Sequence, residues 1–177
     1  MSVPHIARAT THQRIAWLGG SVHHVVLDAA ETDGRLAMFR SSMQGGAASP
    51  VHVHDREDET VFVLEGQGTF WAGDQRWKLG SGDTAFLPRG VPHTYLFTSD
   101  TAEIITVCNP AGMEEFFRAA GWDLSSPQPH DWAVDTTTLR KAAEACGQRV
   151  LGPPLRPDDE MPASYLREGD VVSRPSG

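Results

Sequence analysis

The stretch Ser49–Thr60, SPVHVHDREDET, sets two histidines one residue apart and follows them with four acids in five residues. In a strand, residues two apart face the same side, so His52 and His54 present both imidazoles to one surface. Neutral imidazole is the commonest protein metal ligand, and two on one face converge on a single ion. The candidate chemistry is a metal site, with a carboxylate drawn from Asp55, Glu57, Asp58 and Glu59.

Two spacing patterns run through this region. Gly46, His52, His54, Glu59 and Gly66 read G-x5-H-x-H-x4-E-x6-G, and Gly82, Pro88, Gly90 and His93 read G-x5-P-x-G-x2-H. Together these segments resemble the paired signatures of the cupin superfamily. The first matches at every fixed position; the second departs at its last, where the family commonly has Asn and this chain has Phe97. The resemblance spans residues 46–97 directly. It implies an all-β fold, a double-stranded β-helix (cupin or jelly-roll barrel) with C-terminal helices packed outside.

Strand geometry supports the same ligand set. A carboxylate joins the two histidines only if the chain turns back, and DREDE supplies a polar reversal before the apolar run from Thr60. Glu59, at the start of the returning strand, can face inward. Asp55 should face the opposite side of its strand, and Glu57 and Asp58 are expected as solvated acids in the turn. PRGVP bends the chain so that His93 is aimed back into the barrel. His52, His54, Glu59 and His93 thus form a 3-His/1-Glu set suited to one divalent transition metal: Fe, Mn, Ni, Co, Cu or Zn. On an octahedral ion such a set leaves two open positions, the mark of a catalytic site.

By alternation, Tyr95 and Phe97 share the inward face of His93, and Val61 and Val63 that of Glu59, giving an apolar cavity. Tyr95 is a candidate hydrogen-bond donor to a substrate oxygen, with core filling as its other reading. Phe97 in place of the family's Asn suits a flat, hydrophobic ligand. Of the adjacent His23 and His24 at most one faces the barrel, and both are expected to be structural or surface residues. Which face of residues 35–43 lines the cavity is left open.

The elements that must hold this site are legible as short β-rich runs between Arg14 and Cys108: RIAWL, VHHVVLD, RLAMFRSSM, VHVH, TVFVLEG, GTFWAG, QRWKL, DTAFL, HTYLFT and EIITVCN. AGDQ at 72–75 reads as a hairpin turn. NPAGMEEFFRAAG predicts a helix with Asn109 as N-cap, Pro110 at its first position and Gly121 as terminator, its face of Met113, Phe116, Phe117 and Ala120 docked outside the barrel. DTTTLRKAAEACG predicts a second helix capped by Asp135 or a nearby threonine and ended by Gly147. The organisation expected is one domain: a barrel with N-terminal strands over 1–108, helices over 109–147 and a Pro-rich irregular arm over 148–177.

At 177 residues with a net charge of −8, the chain is expected to bind no nucleic acid. No apolar stretch suggests a signal peptide or membrane span, so a cytoplasmic location is expected. Cys108 and Cys146, the two cysteines, are expected to be reduced and buried. The N-terminal strands are expected to cover a sheet edge in a homodimer.

With PAGMEEFFRAAG and RVLGPPL following the motifs, the chain further resembles quercetinase-type (quercetin 2,3-dioxygenase-like) single-domain bacterial cupins. That resemblance implies a metal-dependent dioxygenase acting with dioxygen on an aromatic or enolic hydrophobic small molecule, with Glu59 doubling as a base. The alternatives are a non-redox cupin cyclase, isomerase or lyase of polyketide-cyclase type, and a non-catalytic small-molecule-binding cupin.

Overall fold

A computed structural model of the chain describes residues 4–166. All ten β-rich runs form strands: β1 (Gln13–Ala16), β2 (Val22–Leu27), β3 (Ala37–Gln44), β4 (Val51–His54), β5 (Asp58–Glu65), β6 (Gln67–Ala72), β7 (Gln75–Gly80), β8 (Thr84–Leu87), β9 (His93–Phe97) and β10 (Thr101–Asn109). Two further strands, β11 (Trp122–Asp123) and β12 (Gln148–Gly152), complete two antiparallel sheets. The larger runs β11-β1-β2-β3-β10-β5-β8 and the smaller β12-β4-β9-β6-β7. The β6–β7 hairpin turns at Gly73 and Asp74, with Ala72 opposite Gln75.

Register decides which side chains look inward. Glu59, Cys108 and Ala37 lie in one row across β5, β10 and β3; Val63, Ile104, Ser41 and His23 lie in another that reaches β2. The cavity face of β3 is therefore Ala37, Phe39, Ser41 and Met43, all buried, while Arg40 and Ser42 face solvent. Val61, Val63 and Phe97 are buried inside as alternation requires, with Tyr95 packed against them.

Helix α1 (Ala29–Thr32) is a single turn closed by a capping box of Asp28 and Glu31, inside the stretch read as strands alone. Helix α2 (Met113–Ala120) packs against α3 (Thr136–Ala145), which lies beside β12 of the smaller sheet. Their apolar faces pack with Ile15, Val25, Ala37, Phe39 and Cys108, which belong to the inner surface of the larger sheet. The helices thus sit outside the strands yet wall the interior. Each buried Phe there contributes about 2–3 kcal/mol by removal from water.

Two local expectations change. Helix α2 starts three residues late, with Gly112 at the N-cap and no side-chain cap, because Asn109 is still paired with Asp58 in β10. The freed Gly112 N–H donates instead to Glu114 Oε2 at 2.8 Å. Asp135 caps α3 as expected, accepting from the N–H groups of Thr137 and Thr138. The segment from Gln148, expected to be irregular, opens with β12, which pairs with β4; five residues bounded by glycines are too short to show a pattern of their own. The chain beyond is held on the outer face of the smaller sheet: Leu155 and Met161 pack on Val51 and Trp71, and Trp71 Nε1 donates to Asp159 O at 2.9 Å. Residues 167–177 of that arm lie outside the described residues. Strand β1 pairs within its own chain, with β2 and β11.

Gly66, the last fixed position of the first motif, has φ of 89°. A Cβ there would stand 2.6 Å from both Ser99 Oγ and Thr101 O. Gly66→Ala is expected to lower stability by about 3 kcal/mol, combining left-handed strain with overpacking; a urea denaturation midpoint equal to wild type would refute it.

Candidate metal centre

Strand β4 delivers His52 and His54 to one face, β5 returns Glu59 beside them, and β9 begins on His93 directly opposite His52. The loop before β9 is pinned on both sides. Arg89 donates to both Asp58 carboxylate oxygens through Nε (3.0 Å) and an Nη (2.8 Å), and the Gly90 N–H donates to His54 O at 2.8 Å. His93 and Glu59 are thus placed by chain segments tied to one another.

The four side chains expected from the sequence meet. One donor atom from each of His52, His54, Glu59 and His93 lies within 4.8 Å of every other, and all four residues are buried. His52 Nε2 is 3.1 Å from His54 Nε2. Glu59 Oε2 is 3.4 Å from His54 Nε2 and 3.5 Å from His93 Nε2. One ion about 2.1 Å from each donor spans such separations.

The outward nitrogens fix the tautomers. His52 Nδ1 donates to Pro50 O and His93 Nδ1 to Val91 O, both at 2.9 Å. A carbonyl only accepts, so the proton sits on Nδ1 and the Nε2 lone pair is left facing the centre. His54 Nδ1 lies 3.4 Å from Glu57 Oε2, with the same consequence. His93 Nε2 is buried without a hydrogen-bond partner among the described residues. Three imidazole nitrogens and a carboxylate oxygen crowded together in a buried site fit a cation.

Electrostatics agree. Burial, reinforced by His93 and His54, holds the His52 imidazole neutral by pushing its pKa well below the ordinary value. Burial raises the Glu59 carboxyl, but the imidazoles facing it, His93 foremost, outweigh it and hold the group at about 2. Desolvation first and Glu59 second push the Tyr95 phenol up.

Glu57 is corrected from a solvated turn acid to a buried one, 1% exposed, beneath Gly112. A Cβ on Gly112 would meet Glu57 Oε1 at 2.7 Å, so that glycine makes room for the carboxylate. No local pattern signals this, because Gly112 is distant in sequence. Asp55 is exposed as expected, and Asp58 is half-buried in its pairing with Arg89.

A cavity of about 60 Å³ opens onto His52 and Glu59, walled by Phe39, Met43, Tyr95 and Phe116 among others. His23 and Ser41 also line it. His23, expected to be a structural or surface residue, is buried with its Nδ1 2.7 Å from Ser41 Oγ. Burial, with a smaller push from His24, lowers its pKa to about 3. Gln148 on β12, opposite His54 in register, is a further wall residue that the sequence did not mark.

A double-sheeted antiparallel barrel with three imidazoles and one carboxylate converging inside it defines the cupin class. Residues 39–108 match the Cupin domain family, and that segment of the chain is a cupin domain. The chain is 30% identical over 120 residues to quercetin 2,3-dioxygenase of Bacillus subtilis, an alignment covering 68% of this chain and 35% of that protein. It is 23% identical over 178 positions to quercetin 2,3-dioxygenase of Aspergillus japonicus, covering 96% of this chain and 47% of the other. The chain therefore spans half or less of the length of these relatives. An RmlC-like cupin of Shewanella frigidimarina superposes with a TM-score of 0.55 at 21% identity, over 64% of this chain and 98% of that one. Among the described residues no helix is long and apolar enough to cross a membrane.

Two outcomes are expected. Glu57→Gln should weaken divalent-metal affinity roughly 10- to 100-fold, the usual cost of losing a carboxylate behind a ligating imidazole; unchanged affinity by competitive chelation would exclude that role. For His23, the unfolded chain takes up a proton near pH 6.5 while the folded chain resists until about 3. Between those values wild type should lose stability relative to His23→Phe as pH falls, by up to about 1.4 kcal/mol per pH unit; parallel stability–pH curves would refute it.

Proposed function

We propose that the protein is a metal-dependent cupin enzyme, a quercetinase-type dioxygenase acting on an aromatic or enolic hydrophobic small molecule. The observation that carries this is the convergence of three Nε2 atoms and the Glu59 carboxylate at one end of an apolar cavity. Similarity to two proteins named quercetin 2,3-dioxygenase supports the oxygen-dependent form of the reading.

His52, His54, Glu59 and His93 would hold the metal. A divalent transition metal there supplies Lewis acidity toward an enolic or phenolic oxygen and, when redox-active, a path for electrons to dioxygen. Glu59, ionised across the working pH range, is ligand and proton acceptor for the substrate hydroxyl; its low basicity confines the second role to an acidified hydroxyl. Tyr95 donates a hydrogen bond to the substrate oxygen. Phe39, Phe97 and the α2 aromatics exclude water from the reacting oxygen.

Size refines the substrate. About 60 Å³ is well under the few hundred Å³ typical of drug-sized ligand sites. A compact enol fits as the cavity stands, and a three-ring flavonol requires the wall of Trp17, Leu18 and α2 to yield.

The test is metal content followed by turnover of a compact 1,3-diketone and a flavonol, with and without oxygen. Oxygen-dependent consumption, with both product oxygens labelled from ¹⁸O₂, is expected. Turnover that persists without oxygen would replace the dioxygenase with the cyclase, isomerase or lyase reading. Glu59→Gln should keep some metal and lose about 100-fold or more in turnover; retained metal with unchanged turnover would end its base role.

A further inference from the structure

His23 and Ser41 form a hydrogen-bonded pair at 2.7 Å on the inner face of the larger sheet. They are 3% and 2% exposed, so solvent satisfies neither. His23 Nε2 has no hydrogen-bond partner among the described residues. The ring lies against Phe117, with centroids 4.1 Å apart, and meets the edge of Trp17 at 5.7 Å. Both His23 and Ser41 line the same cavity as His52 and Glu59.

Stability does not account for the pair. A buried polar atom without a partner costs its full desolvation, whereas a phenyl ring at 23 would keep the aromatic contacts without that cost. A costly polar group facing a cavity that also reaches a catalytic centre is explained by a ligand that completes it.

We propose that His23, oriented by Ser41, is a second recognition point of the cavity, hydrogen-bonding a neutral oxygen of a ligand whose other oxygen lies at His52, His54, Glu59 and His93. This rests on the reading of those four residues as the substrate-binding centre. The ring is neutral, since burial lowers its pKa to about 3. It therefore favours a hydroxyl or carbonyl and disfavours a carboxylate, whose charge would be buried without compensation. Whichever nitrogen carries the proton, a ligand hydroxyl satisfies Nε2, because it both donates and accepts. The ligand class is a molecule with two separated oxygen functions on an unsaturated apolar body, packed between Phe39, Phe116 and Phe117.

The test uses the full-length, metal-loaded protein and three probes: 3-hydroxyflavone, 3,4′-dihydroxyflavone and 3,7-dihydroxyflavone. By calorimetry, wild type is expected to bind at least one dihydroxy probe about tenfold more tightly than the parent, the worth of one well-placed hydrogen bond. H23F is expected to bind all three alike. Without ligand, H23F/S41A is expected to match or exceed the wild-type Tm. A preference that survives in H23F, or a Tm lowered by more than about 5 °C in H23F/S41A, overturns the proposal by making the pair structural. If wild type binds none of the probes, the flavonol form of the functional reading falls and the ligand-free Tm comparison alone decides the role of His23.

Discussion

Three imidazoles and one ionised carboxylate share a pocket from which water is almost excluded, and that arrangement constrains everything around it. Lone pairs about 3 Å apart and a desolvated charge are mutually unfavourable unless held from outside. The holding is done at the backs of the rings: carbonyls of Pro50 and Val91 and the carboxylate of Glu57 each take an Nδ1. The centre is thus ordered from its periphery inward. Its strands are short, but two of the three groups that orient it are main-chain carbonyls adjacent to the ligands and move only if those strands move.

The rest of the fold supplies closure. The larger sheet has seven strands and the smaller five, and α2 and α3, in place of a further strand, pack on Ile15, Val25, Ala37, Phe39 and Cys108 of the larger sheet. That substitution makes one wall of the cavity from helical side chains, Met113, Phe116 and Leu139, while the opposite wall is sheet. A wall of helices tolerates change in side-chain size without disturbing the ladder that positions the histidines. Relatives of this fold can therefore differ in what they admit while keeping the same centre.

Much of this was legible in the sequence because strand parity is a strict rule. His52 with His54, Glu59 with Val61 and Val63, and His93 with Tyr95 and Phe97 follow from counting by two, and all ten strands were visible as short apolar runs. The four-residue centre was likewise readable from its spacing. What escaped depends on distant partners. Glu57 is buried because Gly112 has no side chain; His23 is inward because β2 pairs with β3 in one register and not its neighbour; β12 is a strand because β4 offers it an edge. The start of α2 failed for a related reason: Asn109 is a good cap by type, but β10 retains it.

Strand β12 gives the molecule an order of assembly. Gln148 sits opposite His54, so nearly a hundred residues separate two neighbours at the heart of the protein. During synthesis the four ligand-bearing segments, ending at His93, emerge long before the strand that flanks β4. Until residue 152 is made, β4 lacks its partner on that side. Closure of that edge is non-local and correspondingly slow. The pocket around His52, His54, Glu59 and His93 is therefore bordered by the last-made strand of the described residues.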